Sequence, residues 1–175
     1  MLRGINVSGH KVIRMEDLRQ SCAALGFQNL QTYVQSGNIV FLAPAQPPAA
    51  LSQRISQTIL KDFGFHVPVV VRTSKEMGEV IQGNPFLQEK GIDISRLHVT
   101  FLSDPAPASA RKNLQALSAN PDRFHLARRH IYLHCPDGYG RSKLSNTAIE
   151  KALSLGATTR NWKTVTTLFA MASSL

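Results

Sequence analysis

The residues best suited to chemistry in this 175-residue chain lie between Asp137 and Thr166. Asp137-Gly138-Tyr139-Gly140-Arg141-Ser142-Lys143 joins two glycines to a hydroxyl and two cations, just ahead of a helix-like run. Successive N–H groups in a glycine loop can form an anion-binding nest. A helix start adds unpaired donors and the positive end of its dipole. In that reading Gly138 and Gly140 supply backbone donors, Arg141 and Lys143 neutralise a phosphate or carboxylate, and Ser142 donates a hydrogen bond. The spacing is neither a Walker A loop nor a dinucleotide fingerprint. A tight strand-to-helix turn with solvated cations accounts for the same residues.

The second basic stretch is Ala157-Thr158-Thr159-Arg160-Asn161-Trp162. Read as a helix start, it has Thr158 or Thr159 as the cap and the chain's single tryptophan in the core. Arg160 would then oppose the helix dipole, so a ligand anion, an aromatic ring or a carboxylate such as Glu150 is needed beside it. If the two stretches share one anion pocket, Thr158, Thr159 and Arg160 face the glycine loop across it. Asp137 and Glu150 bracket that loop and are the weak candidates for a general base or a Mg2+ ligand. A His-x-x-x-His helix, a Cys-x-x-Cys pair and a Gly-x-Ser-x-Gly elbow are all absent, so no metal site and no cofactor is expected.

A third candidate is the hairpin around Arg128-Arg129. Its alternation puts Phe124, Leu126, Ile131, Leu133 and Cys135 on one face and Arg123, His125, His130, Tyr132 and His134 on the other. The second face could stack bases and track phosphates, bind a metal through its histidines, or simply be a solvated or interlobe surface.

Charge supports an anionic partner, either a nucleic acid or a phosphorylated small molecule. The net charge is +9, of which +6 falls in residues 91–175; residues 123–163 hold eight cations against two acids. The composition is otherwise that of a soluble globular protein, at 43% hydrophobic and 18% charged. No apolar run approaches the ~20 residues of a membrane span, so no membrane partner is expected. Cys22 and Cys135 sit far apart on apolar faces and read as core thiols, which implies a reducing cytoplasm.

The elements that must position these residues follow from periodicity. Leu2–Val7 reads as a short strand and Met15–Leu25 as a helix stopped by Gly26. Leu30–Gln35 and Ile39–Leu42 form a hairpin, residues 51–63 a second helix, and Val67–Arg72 a strand buried on both faces. Strand, helix, hairpin, helix, strand is the ferredoxin-like plan. The second half repeats the order: a helix at 75–81, a strand at 97–102, a helix to about Leu117, the Arg128-Arg129 hairpin, a helix at 144–155 and a closing helix. The expectation is an α+β chain of two side-by-side ferredoxin-like lobes, residues 1–73 and 74–175.

Five blocks carry a family resemblance: Arg3-Gly4-Ile5-Asn6-Val7, Tyr33-Val34-Gln35-Ser36-Gly37-Asn38, Asn84-Pro85-Phe86, Ser142-Lys143-Leu144 and Ala157 to Trp162. Together they resemble domain-of-unknown-function family 1697, across nearly the whole chain and in the right order. The resemblance implies a two-lobed α/β fold and no activity. Members usually have several apolar residues before the Arg-Gly-Ile-Asn block, so the first strand is expected to be clipped or to begin upstream. Ser8 stands where a glycine is usual, which makes that turn less permissive. Three functional classes remain open: a binding module for an anionic ligand, an enzyme of phosphoryl- or acyl-type chemistry, and a protein-interaction domain.

Overall fold

The computed structural model describes residues 1–7 and 9–175; the reading of the turn at Ser8 lies outside them. These residues build a mixed α/β protein with six α-helices, a two-stranded sheet and a four-stranded sheet. They cluster into two compact units, Met1–Met77 with Thr167–Leu175, and Gly78–Thr166.

In the first unit, α1 (Met15–Ala23) and α2 (Pro48–Phe63) cover one face of the hairpin β1 (Gln28–Tyr33) and β2 (Asn38–Leu42). α2 opens with Pro48, whose missing N–H costs nothing in a first turn, and ends at Gly64 in the left-handed region. Leu51, Ile55 and Ile59 give it one apolar stripe, which packs with Leu18, Cys22 and Val67 in a continuous core. α3 (Ser74–Gln82) begins with a capping box. Thr73 Oγ1 accepts from Glu76 N at 3.2 Å, while the Glu76 carboxylate accepts from Thr73 N at 2.8 Å.

Two sequence expectations fail in this unit. Leu2–Val7 is not a strand: Gly4 and Asn6 take positive φ and bend the chain, leaving Leu2 as an isolated bridge to Val69. Val67–Arg72 is extended and apolar, yet it is no ladder strand: within it only Val69 is bridged, to Leu2. The hairpin loop is also longer than expected. Tyr33 pairs with Asn38, and Val34 turns to φ +49°, out of the ladder.

In the second unit β3 (Leu97–Leu102), α4 (Ala110–Leu117), β4 (Arg123–Leu126), β5 (His130–His134), α5 (Asn146–Leu153) and β6 (Ala157–Asn161) follow in order. The sheet order is β4-β5-β3-β6, with every neighbouring pair antiparallel. One face carries Leu102, Ile131, Leu133 and Ala157 against Leu114 of α4 and Ile149 and Leu153 of α5. β6 corrects the expected helix start at Thr158–Arg160. The edge of β3 offers residues 98–102 as partners, and the β-branched Thr158 and Thr159 suit a strand. α6 (Trp162–Ser173) therefore begins at Trp162, and its cap is Asn161, whose Oδ1 accepts from Thr164 N at 2.8 Å, not a threonine.

Candidate ligand site

Strand geometry decides how the basic stretches of the second unit relate. Successive side chains on a strand point to opposite faces. Thr159 lies opposite Thr100, whereas Arg160 lies opposite Val99, so the two residues face away from each other. Thr159 Oγ1 donates to Asn146 Oδ1 at 3.0 Å and lies 2.8 Å from Thr100 Oγ1. Asn146 Nδ2 donates in turn to Ala157 O at 3.0 Å. This network ties the start of α5 to β6 and β3. Arg160 is buried, at 8% exposure, and donates to Thr158 Oγ1 at 2.7 Å and to Thr159 O at 2.8 Å. Burial pulls its guanidinium pKa down to about 10.

The glycine loop is a short 3-10 turn, Tyr139–Arg141, entered through Gly138 at φ +94°. Arg141 and Lys143 point into solvent, as do Asp137 and Gly140. Ser142 is turned inward, where its Oγ accepts from Leu144 N at 3.0 Å. Tyr139 stacks on His98 with ring centroids 4.8 Å apart, and burial raises its phenol and lowers the His98 imidazole pKa. Ser145 caps α5 by accepting from Ala148 N. Glu150 Oε1 accepts from Ala157 N at 3.0 Å, so that carboxylate holds the turn between α5 and β6. The structure thus brings Thr159, Asn146 and Thr100 together, and places Arg160 on the other side of the sheet.

The hairpin β4–β5 has the register read from sequence, with Arg123 opposite His134 and His125 opposite Tyr132. Its polar face is largely occupied by packing within the unit. Arg123 forks onto Glu89 at 2.7 and 3.0 Å and stacks over Phe86, holding the Glu89 carboxyl below its usual range. The Tyr132 hydroxyl donates to Val80 O at 3.0 Å, and burial pushes its pKa up to about 12. Buried Cys22 is pushed up to about 11, and burial raises Cys135 too; neither thiol is activated as a nucleophile. Among the described residues, no group of three or more His, Cys, Asp or Glu is placed to hold a metal, and no helix is long and apolar enough to cross a membrane.

The asparagines of the sequence blocks have structural work. Asn6 donates to Ile13 O and Gln35 O and accepts from Ile13 N at 2.8 Å, clamping the N-terminal loop to the hairpin turn. Asn38 donates to Tyr33 O, and Asn84 Oδ1 caps the Pro85–Gln88 turn. The first two blocks also meet directly, since Leu2 N donates to Gly37 O at 2.8 Å.

Sequence reasoning missed an apolar cavity of about 320 Å³ in the first unit. One wall is residues 39–46, from β2 and the turn after it, and the facing wall is residues 69–74. Met1 and Leu2 close one end. Leu51 and Ile55 of α2 and Leu168 and Ala172 of α6 complete the lining. A cavity near 300 Å³ is at the small end of ligand pockets. The available signal was the pair of apolar runs at 39–43 and 67–71, which the structure places in the two walls of the cavity.

No curated protein matches the chain. Its fold is shared with a solved structure described as the structure of conserved bacterial protein SP0830 from Streptococcus pneumoniae. That match has a TM-score of 0.74 at 18% identity and covers 98% of this chain and 96% of that one. The family model "Protein of unknown function (DUF1697)" matches residues 1–132, ending short of the basic loops at 138–162. With Asn6, Gly37 and Asn84 all inside that match and all fixing turns, this chain belongs to the DUF1697 family.

Proposed function

We propose that the protein is a binding module without chemistry of its own, and that its ligand site is the apolar cavity of the first unit. The cavity itself carries the reading: a 320 Å³ space lined mainly by apolar side chains, with Gln46, Arg72, Thr73 and Ser74 also in its lining, in a protein whose thiols are raised by burial and whose Glu150 carboxylate serves a turn. The strand order β4-β5-β3-β6 supports a ferredoxin-like second lobe.

The test is titration with 1-anilinonaphthalene-8-sulfonate, whose fluorescence rises in apolar pockets, on wild type and Ala172→Phe. Ala172 lines the cavity on the half-buried last turns of α6, so the larger ring fills the space. Saturable binding, weakened about tenfold or more by Ala172→Phe with the fold retained, is expected. Absence of saturable binding to wild type overturns the reading, as does equal binding to both proteins.

A second reading, an anionic ligand on the second unit, is favoured by the exposed cations Arg128, Arg141 and Lys143. The polymer form of that ligand is single-stranded nucleic acid. Its affinity should fall with salt at a log–log slope of about −0.7 per phosphate neutralised. Replacing the three cations by Glu should flatten that slope and leave stability unchanged within about 0.5 kcal/mol. Binding that is absent at low salt removes this reading.

A further inference from the structure

We propose that His134 is a proton-sensitive catch holding the Pro85–Gln88 turn to the β4–β5 hairpin, closed while its imidazole is neutral and released by mild acid. Arg123 and His134 lie directly opposite each other in the β4–β5 ladder. Arg123 Nη2 donates to Glu89 Oε2 at 2.7 Å and lies 3.0 Å from His134 Nδ1, while Nη1 donates to Glu89 Oε1 at 3.0 Å. A guanidinium has donors and no acceptor. His134 Nδ1 must therefore accept, which fixes a neutral imidazole with its proton on Nε2.

One planar group thus joins the end of the turn, through Glu89, to β5, through His134. The same guanidinium lies over the Phe86 ring at 5.1 Å, and that ring is 5.8 Å from the imidazole. Phe86 is buried and anchors the turn from below. Asn84 Oδ1 accepts from Phe86 N at 3.1 Å, and Leu87 N and Glu89 N donate to Asn84 O and Phe86 O at 3.3 and 3.2 Å.

A proton on His134 Nδ1 turns that acceptor into a donor and sets two cations against each other. Like charges directly opposite in a ladder are destabilising. The backbone of β5 cannot give way, because it is laddered to β3 at Leu97 and to β4 at Arg123. The side chains must part instead. The guanidinium is rigid, so tilting away from His134 also breaks its fork on Glu89. Acid thereby converts a paired face into one with two adjacent cations.

The charged groups facing the imidazole come from four places. Arg123 of β4 opposes its protonation; Glu89, Asp122 ahead of β4 and Asp93 ahead of β3 favour it. Two of those carboxylates are engaged elsewhere. Glu89 holds Arg123, and Asp93 accepts from Ser95 N and Oγ at 2.9 and 2.6 Å and lies 3.5 Å from Arg96 Nε. Burial and Arg123 prevail and hold His134 below the ordinary imidazole range. A histidine with a lowered folded pKa stabilises the closed form above its open-state pKa and ceases to as pH falls through the folded value. The Arg123 and Glu89 side chains are 47% and 41% exposed, so the pair adds little to global stability. Local opening is what the proton controls.

The test follows the full chain by NMR from pH 8 to pH 5, on wild type, His134→Asn and Arg123→Met. Asparagine keeps an acceptor in the place of Nδ1 and does not titrate in this range. At pH 8 the imidazole nitrogen shifts of wild type should show His134 with Nδ1 bare, and its titration should fall below the ordinary 6.5. Exchange of the Leu87 and Glu89 amides, corrected for its intrinsic pH dependence, should accelerate about threefold or more on acidification. In His134→Asn it should stay level, and Arg123→Met should raise the His134 titration. A proton on Nδ1 at pH 8, or a wild-type titration at or above 6.5, overturns the proposal without any variant. Wild-type exchange that ignores pH also overturns it, since Glu89 would then have passed to the protonated ring with the turn still held. Equal acceleration in His134→Asn assigns the effect to another group, and an unchanged titration in Arg123→Met removes the Arg123 contact; either result refutes the catch.

Discussion

Replacing Gly37 by alanine isolates the cost of the contact that seats Leu2 beside the cavity. Gly37 has φ +78°, a conformation that costs an L-residue roughly 1–2 kcal/mol. An alanine Cβ there would also lie 2.6 Å from Ile5 Cδ1 and 2.9 Å from Leu2 Cβ. The Ile5 methyl group ends a side chain and can rotate. Leu2 Cβ cannot move without its backbone, whose N–H is bonded to Gly37 O at 2.8 Å. Overpacking of this kind costs about 1–3 kcal/mol, so the total loss should be about 2–5 kcal/mol. Gly64→Ala supplies the control. Its φ is also +78°, but a Cβ there meets nothing within 4 Å, so the conformational cost of roughly 1–2 kcal/mol stands alone. Urea denaturation of the two variants reads the difference as a larger midpoint shift for Gly37→Ala at unchanged m. Because Leu2 lines the cavity, Gly37→Ala should also weaken dye binding while Gly64→Ala leaves it intact. Equal losses of stability in the two variants would refute the steric argument and reduce Gly37 to a turn residue.

Thr159→Val keeps shape and β-branching but removes the hydroxyl shared with Thr100 and Asn146, leaving Asn146 Oδ1 without that donor. A loss of about 1–3 kcal/mol in urea denaturation is expected; no loss would show that the network does not hold α5 to the sheet. Trp162→Ala removes a tryptophan of 5% exposure from the first position of α6 and should cost about 3–5 kcal/mol. A shift in the urea midpoint too small for 1 kcal/mol would contradict its core role. Alkaline pH supplies another check. Cys22 titrates at about 11 in the folded chain against 9.0 ordinarily, and Tyr132 at about 12 against 10.0. Both are stabilised neutral when folded, so their contributions are complete below pH 9 and pH 10 and disappear as pH rises through 11 and 12. Urea midpoints should fall from pH 9 upward, and more shallowly in Cys22→Ala, where Cys135 is the one buried thiol left to contribute; identical profiles for wild type and variant would contradict the burial of Cys22.

Local pattern determined much of this protein without reference to the fold. The stripe Leu51, Ile55, Ile59 ended by Gly64 specifies α2, and alternation specifies the β4–β5 register with Phe124 and Leu126 turned from Arg123 and His125. Both signals are carried by neighbours in sequence, so they survive in the chain alone. Tertiary structure decided the rest. Thr158-Thr159-Arg160 has the composition of a helix start, and it became a strand because β3 presents a five-residue edge to it. That change from a period of 3.6 to a period of 2 put Thr159 and Arg160 on opposite faces, a relation that one-dimensional spacing cannot express. Val67–Arg72 shows the converse. Its apolar run specifies an extended, doubly buried segment, but laddering needs a partner from elsewhere in the chain. Leu2 bridges Val69, and the bonds Arg3 N to Pro68 O and Val70 N to Met1 O complete its pairing.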